Sequence, residues 1–213
     1  MSSVLNYCSA LSGLLPIGAS GLRYRHYGGV LRRLAWFFWV AGLFDLLSAI
    51  TEVLHLPNLP LFHLFSVVNL LFLSSLYYYT LHGRRLRAAI VLVAGGLLVF
   101  MVYTALRPGE LWWFPSEGMS GQCVLFVGLA LGYFYQLLHQ PTVVAIEHNP
   151  LFWVNAGVLV YFSGNLFLFM LQEWLSRVAP LQHANYWAIH SVANIVANVL
   201  YAAGLLCAPP RPT

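Results

Sequence analysis

Apolar residues come in long unbroken runs along this chain, and polar residues gather in the gaps. Seven runs approach the roughly 20 residues an α-helix needs to cross the hydrocarbon core of a bilayer. They cover about 3–22, 34–54, 62–82, 88–106, 120–139, 151–173 and 185–207. The runs do not alternate between apolar and polar, so a transmembrane β-barrel is not indicated. The pattern predicts an all-α polytopic membrane protein, with residues 1–213 as one bundle of seven transmembrane helices. The first run is the least regular, interrupted by Asn6, Ser9, Ser12 and Pro16. The gaps carry turn residues: HLPNLP (55–60), RPGELWWFPSEG (107–118) and HQPTVVAIEHNP (139–150). Pro150 suits the first turn of the helix that follows.

Composition strengthens this picture. Only 8% of residues are charged, 60% are hydrophobic and the mean hydropathy is +0.75. A soluble domain carries about 25% charged residues, so a water-facing surface is excluded. All ten basic residues are arginine, which excludes a lysine Schiff base and with it a rhodopsin-type retinal site. The arginines sit in loops and form no nucleic-acid-binding patch. The start of the chain lacks a positive n-region, which predicts a retained first helix rather than a signal peptide. Cys8, Cys123 and Cys207 form no CxxC and read as small apolar helix residues. A bridge between Cys8 and Cys123 stays open at this point.

Arginine placement sets the expected orientation. Arg23, Arg25, Arg32, Arg33, Arg84, Arg85, Arg87 and Arg211 fall on one side of the bundle, Arg107 and Arg177 on the other. The positive-inside rule then puts the C-terminus in the cytoplasm and the N-terminus outside, as expected for a bacterial inner membrane. Trp112, Trp113, Trp174 and Trp187 fall at the outer interface and Trp36, Trp39 and Trp153 at the inner one, as two aromatic belts.

Ionisable groups are costly in lipid and usually face a bundle interior or a wet cavity. In the second run, Asp45, Ser48, Glu52 and His55 share an arc of about 80° on a helical wheel. In the last run, His183, Trp187, His190, Asn194, Asn198 and Tyr201 share a stripe of similar width, with Asn185 on the far side. Asn194 and Asn198 read most simply as interhelical hydrogen-bond formers. His63, Gln122, Asn165, Gln172 and Glu173 add further polar positions, most of them toward the outer side. Gly157 and Gly164, seven apart, suit a close helix approach.

The stretches NPLFWVNAGVLVYFSGNLFLFML, WAIHSVANIVANVLYAAGLLC and YCSALSGLLPIGASGLRYR resemble a family of small seven-helix membrane proteins of Bacteroidetes, whose genes often lie beside sensor histidine kinases. The resemblance covers most of the chain. Its matching positions are Asn155, Ser163, Gly164, Asn165, His190 and Asn194. It implies an association with signalling, by gene neighbourhood alone.

These readings converge on a sensor or receptor-like protein. An outward-facing polar cavity would bind a small or lipid-like ligand through Asp45, Ser48, Glu52, His55, His63, Gln122, Asn165, Gln172, His190 and Asn194. Membrane lipid and a sensor histidine kinase are the expected partners. One alternative is an intramembrane lipid hydrolase holding zinc through His55, His63, His190 and Glu52, with Asp45 nearby. Against it, the position four after His190 is Asn194, and a neutral amide is a poor zinc ligand. Another is a small transporter coupled through Asp45, or a b-type haem protein using His63 and His190.

Overall fold

The computed structural model of the chain describes residues 2–139, 146–178 and 183–208, and only the backbone of 2–3, 173–178 and 183–186. The side chains of Glu173, Trp174, Arg177, His183 and Asn185, and the whole of Arg211, lie outside the described residues. Every regular element among the described residues is helical. The helices are α1 (Ser2–Ser12), α2 (Leu14–Arg23), α3 (Gly29–Val53), α4 (Leu59–Thr80), α5 (Arg84–Ala105), α6 (Ser116–Leu138), α7 (Pro150–Val178) and α8 (His183–Leu206). Short 3-10 turns occupy Tyr24–His26, Glu110–Trp112 and Ile146–His148.

Six of these helices, α3 to α8, are long and apolar enough to cross a membrane. Their outward surfaces fit that role: Leu92 is 75% exposed, Val99 69% and Phe167 70%. Such a density of exposed apolar side chains belongs in lipid.

The first expected span, 3–22, is not one continuous helix. It is divided at Gly13 into α1 of 11 residues and α2 of 10. Pro16 explains the break. It has no N–H to give the Ser12 carbonyl, and its ring crowds that carbonyl. Gly13 keeps helical angles (φ −59, ψ −24), so the interruption is a kink rather than a loop. Elsewhere the punctuation works as expected. Pro150 opens α7, and the Leu151 N–H donates to Asn149 Oδ1 at 3.0 Å as a side-chain cap. Gly83, at φ +117, makes the turn into α5, a conformation costly for other residues.

The packing closes a ring. α1 and α2 lie on α8, α2 on α3, α3 on α4, α4 on α6, α6 on α7 and α7 on α8. α5 stands outside this ring, against α4 and α6. The α7–α8 seam is built from small residues. A Cβ on Gly157 would lie 2.6 Å from Tyr201 Cε1 and 3.1 Å from the Ala197 carbonyl oxygen, and one on Gly164 would lie 3.1 Å from Ala193 Cβ. The expected close approach at Gly157 and Gly164 is therefore present. All three cysteines are free.

At one end, the N-terminal helices are tied to the last one. Arg23 Nη1 donates to the Ala208 carbonyl at 2.8 Å. The buried Tyr27 hydroxyl shares its proton between the Ala19 (3.0 Å) and Leu205 (3.2 Å) carbonyls. Here too the Arg33 guanidinium lies 3.5 Å over the Tyr79 ring, and Arg84 and Arg85 are exposed.

Candidate functional site: an aromatic cavity with one carboxylate

The ring lines a half-open cavity of about 410 Å³, within the range of small-molecule sites. Its wall draws on α1, α2, α3, α4, α7 and α8, with Phe114 and Met119 from the α5–α6 side. Much of that wall is aromatic. Phe37 and Phe44 on α3, and Phe162 and Phe169 on α7, contribute pairs seven residues apart, the spacing that returns to one helix face.

Among the described residues, Asp45 is the only Asp, Glu, Arg or Lys on the wall. It faces the α1–α2 kink, where a Cβ on Gly13 would lie 3.5 Å from Asp45 Oδ2. No hydrogen bond or ion pair within the described residues engages its carboxylate. Ser48, one turn further along α3, lines the same cavity.

His190 faces the cavity from α8. Its Nδ1 lies 2.9 Å from Asn165 Oδ1. Asn165 is fully buried, and its Nδ2 donates to the Tyr161 carbonyl at 2.7 Å. That bond fixes the amide so that Oδ1 is the acceptor, which makes His190 Nδ1 the donor. The neutral imidazole then presents Nε2 as an acceptor, with no partner among the described residues, on a side chain that lines the cavity. Phe169, Tyr161 and Trp187 surround the ring at centroid distances of 6.2, 5.8 and 5.3 Å.

Below His190, α8 is fastened to α1 by three side-chain hydrogen bonds. Ser191 Oγ donates to Asn6 Oδ1 (2.9 Å), Asn194 Nδ2 to Ser9 Oγ (3.0 Å) and Asn198 Nδ2 to Ser12 Oγ (2.9 Å). The interhelical role expected of Asn194 and Asn198 is thus seen directly. Both also reach the cavity. Each donates through Nδ2, and each Oδ1 has no partner among the described residues.

Of the residues expected at a ligand site, the structure brings Asp45, Ser48, His190 and Asn194 together on one wall, with Asn165 behind them. The others lie elsewhere. Glu52 and His55 are exposed at the end of α3. That helix stops at Val53, and His55 turns out at φ 54, so the shared arc runs past the cavity. His63 bonds the Trp113 carbonyl through Nε2 (3.0 Å) and borders a smaller hollow between α4 and α5. Gln122 is buried between α4 and α6, donating to the Ser66 carbonyl (3.0 Å) and accepting from Asn69 Nδ2 (3.1 Å). Gln172 is buried on α7, off the wall.

The proposed zinc set is not assembled: among the described residues no three His, Cys, Asp or Glu side chains converge. His63 and His190 likewise border different hollows, so no paired haem ligation is formed by them.

Sequence reasoning left Asn6, Ser9, Asn69, Tyr161 and Asn198 out of the site, although all line the cavity. The spacing of Asn6, Ser9 and Ser12 carried a signal: three polar residues at intervals of three share a helix face. The aromatic wall gave none, because phenylalanines in an apolar run look the same whether they face lipid or a cavity.

Comparisons with protein-family models, with curated proteins and with solved structures find no match for this chain.

Proposed function

We propose that this is a receptor-like protein of a bacterial inner membrane. It binds a small or lipid-like ligand in the central cavity and acts on a cytoplasmic partner such as a sensor histidine kinase. The observation that carries this reading is Asp45: a carboxylate with no ionic partner among the described residues, on the wall of a cavity rich in aromatic side chains. A group so costly to hold within the membrane calls for a counterpart that enters the cavity.

In this reading the chain crosses the membrane seven times, with α1 and α2 together as the kinked first crossing. The arginine-bearing end, with Arg84 and Arg85 exposed, faces the cytoplasm and offers the partner surface. Orientation is tested by single cysteines in intact cells. Glu110→Cys is expected to react with a membrane-impermeant maleimide, and Arg85→Cys only after permeabilisation. The reverse pattern overturns the orientation.

The receptor reading is tested with a sensor histidine kinase from the same bacterium co-reconstituted in proteoliposomes. Autophosphorylation is expected to depend on the presence of this protein and to change when the cavity is filled by Ala41→Phe. A kinase that responds identically to wild type, to Ala41→Phe and to empty vesicles overturns the signalling role.

A further inference from the structure

We propose that the cavity takes an organic ammonium, a protonated primary amine carried on an apolar, ring-bearing body. This rests on the receptor reading above and names the class of its ligand.

Three independent features select that chemistry. The first is charge. Among the described residues, Asp45 is the sole Asp, Glu, Arg or Lys on the wall, and no guanidinium lines it. An anionic ligand would find no counter-ion and a like charge. A neutral one would leave the carboxylate without an ionic partner. A cation supplies the missing partner.

The second is hydrogen-bond polarity. Asn194 and Asn198 donate their Nδ2 groups to α1, and Asn69 donates its own to Gln122. The remaining Oδ1 atoms have no partner among the described residues and are not fully buried. His190 Nδ1 is held by Asn165, which leaves Nε2 as an acceptor. Together with the Asp45 oxygens, these groups form a cavity rich in fixed acceptors. A primary ammonium brings three N–H donors and no acceptor.

The third is the apolar wall. Phe37, Phe44, Phe162 and Phe169 offer ring faces within the same enclosure. Aromatic faces attract organic cations and pack against flat apolar bodies. A volume of about 410 Å³ holds a ring system with a short aminoalkyl arm.

The test compares tryptamine, tryptophol, indole propionate and trimethylated tryptamine by equilibrium dialysis against the full chain in lipid nanodiscs, with empty discs as the blank. Tryptamine is expected to bind at least about tenfold tighter than tryptophol and tighter than either remaining analogue. Asp45→Asn is expected to bring tryptamine down to the affinity of tryptophol, with the helical circular dichroism unchanged. The wild-type comparison stands without any variant, so a poorly folding Asp45→Asn does not remove the test. Equal binding of tryptamine and tryptophol overturns the ammonium assignment and leaves the cavity as a ligand site. A trimethylated analogue that matches tryptamine overturns the assignment of a primary amine. Saturable binding by none of the four overturns the receptor reading as well.

Discussion

His190 Nδ1 and Asn165 Oδ1 lie 2.9 Å apart across the α7–α8 seam, and this contact sets what the imidazole shows to the cavity. Because Asn165 Nδ2 is committed to the Tyr161 carbonyl, the neutral ring carries its proton on Nδ1. Nitrogen-15 NMR of labelled His190 is expected to show the Nδ1–H tautomer. Asn165→Leu should abolish that preference and lower stability by about 0.6–1.7 kcal/mol, the span measured for interhelical bonds in membranes. A wild-type spectrum dominated by Nε2–H contradicts the assignment.

Asn198 and Ser12 form the bond of the α1–α8 ladder farthest from His190 along α8. A double-mutant cycle of Asn198→Ala and Ser12→Ala should yield a coupling of about 0.6 kcal/mol in unfolding from mixed micelles. Crossing Asn198→Ala with Ser66→Ala, whose hydroxyl bonds only the His63 carbonyl, should yield none. Additivity in the first cycle removes the ladder as a source of stability.

Gly157 leaves no room for a larger side chain, since a Cβ there already meets the Tyr201 ring at 2.6 Å. Gly157→Leu should force α7 and α8 apart, costing about 1–3 kcal/mol as overpacking does. A lowered thermal midpoint in detergent checks this, while an equivalent change at Gly128, with nothing within 4 Å, should be tolerated.

Tyr27 links the loop after α2 to both α2 and α8. Burial pushes its hydroxyl up to about 12, with Arg23 acting in the opposite direction. The unfolded phenol titrates near about 10. The bonded neutral form therefore contributes fully below about pH 10, and that contribution is lost as pH rises toward the folded value. Wild type should be more stable than Tyr27→Phe at neutral pH, and the gap should close between about pH 10 and 12. A gap independent of pH across that window contradicts the role given to the hydroxyl.

Much of the architecture was legible in the sequence because lipid imposes a length and a hydropathy that few other environments require. The six long helices fall close to the runs read from the chain. The first run failed as a continuous helix at Pro16, whose effect on the Ser12 carbonyl is local and readable, but which a window average conceals. Of the polar positions read from the sequence, Asp45, Ser48, His190 and Asn194 do line the cavity. Gln122 and His63 look the same on a helical wheel, yet one is satisfied by Ser66 and Asn69 and the other by the Trp113 carbonyl. Periodicity shows which face a residue occupies. Whether that face meets a cavity or a neighbouring backbone depends on how the ring closes, and that is set by distant contacts such as Gly157 against Tyr201.

The most direct test of the central claim is binding of a saturable amphiphile to wild type and to Ala41→Phe, measured in nanodiscs with folding checked by circular dichroism. Ala41 lines the cavity without making any of the bonds described above, so a phenyl group there should fill space with little other consequence. One site per chain is expected in wild type, with affinity at least about tenfold weaker in Ala41→Phe, a difference of about 1.4 kcal/mol. A folded Ala41→Phe that binds as tightly as wild type places the ligand elsewhere and contradicts the account.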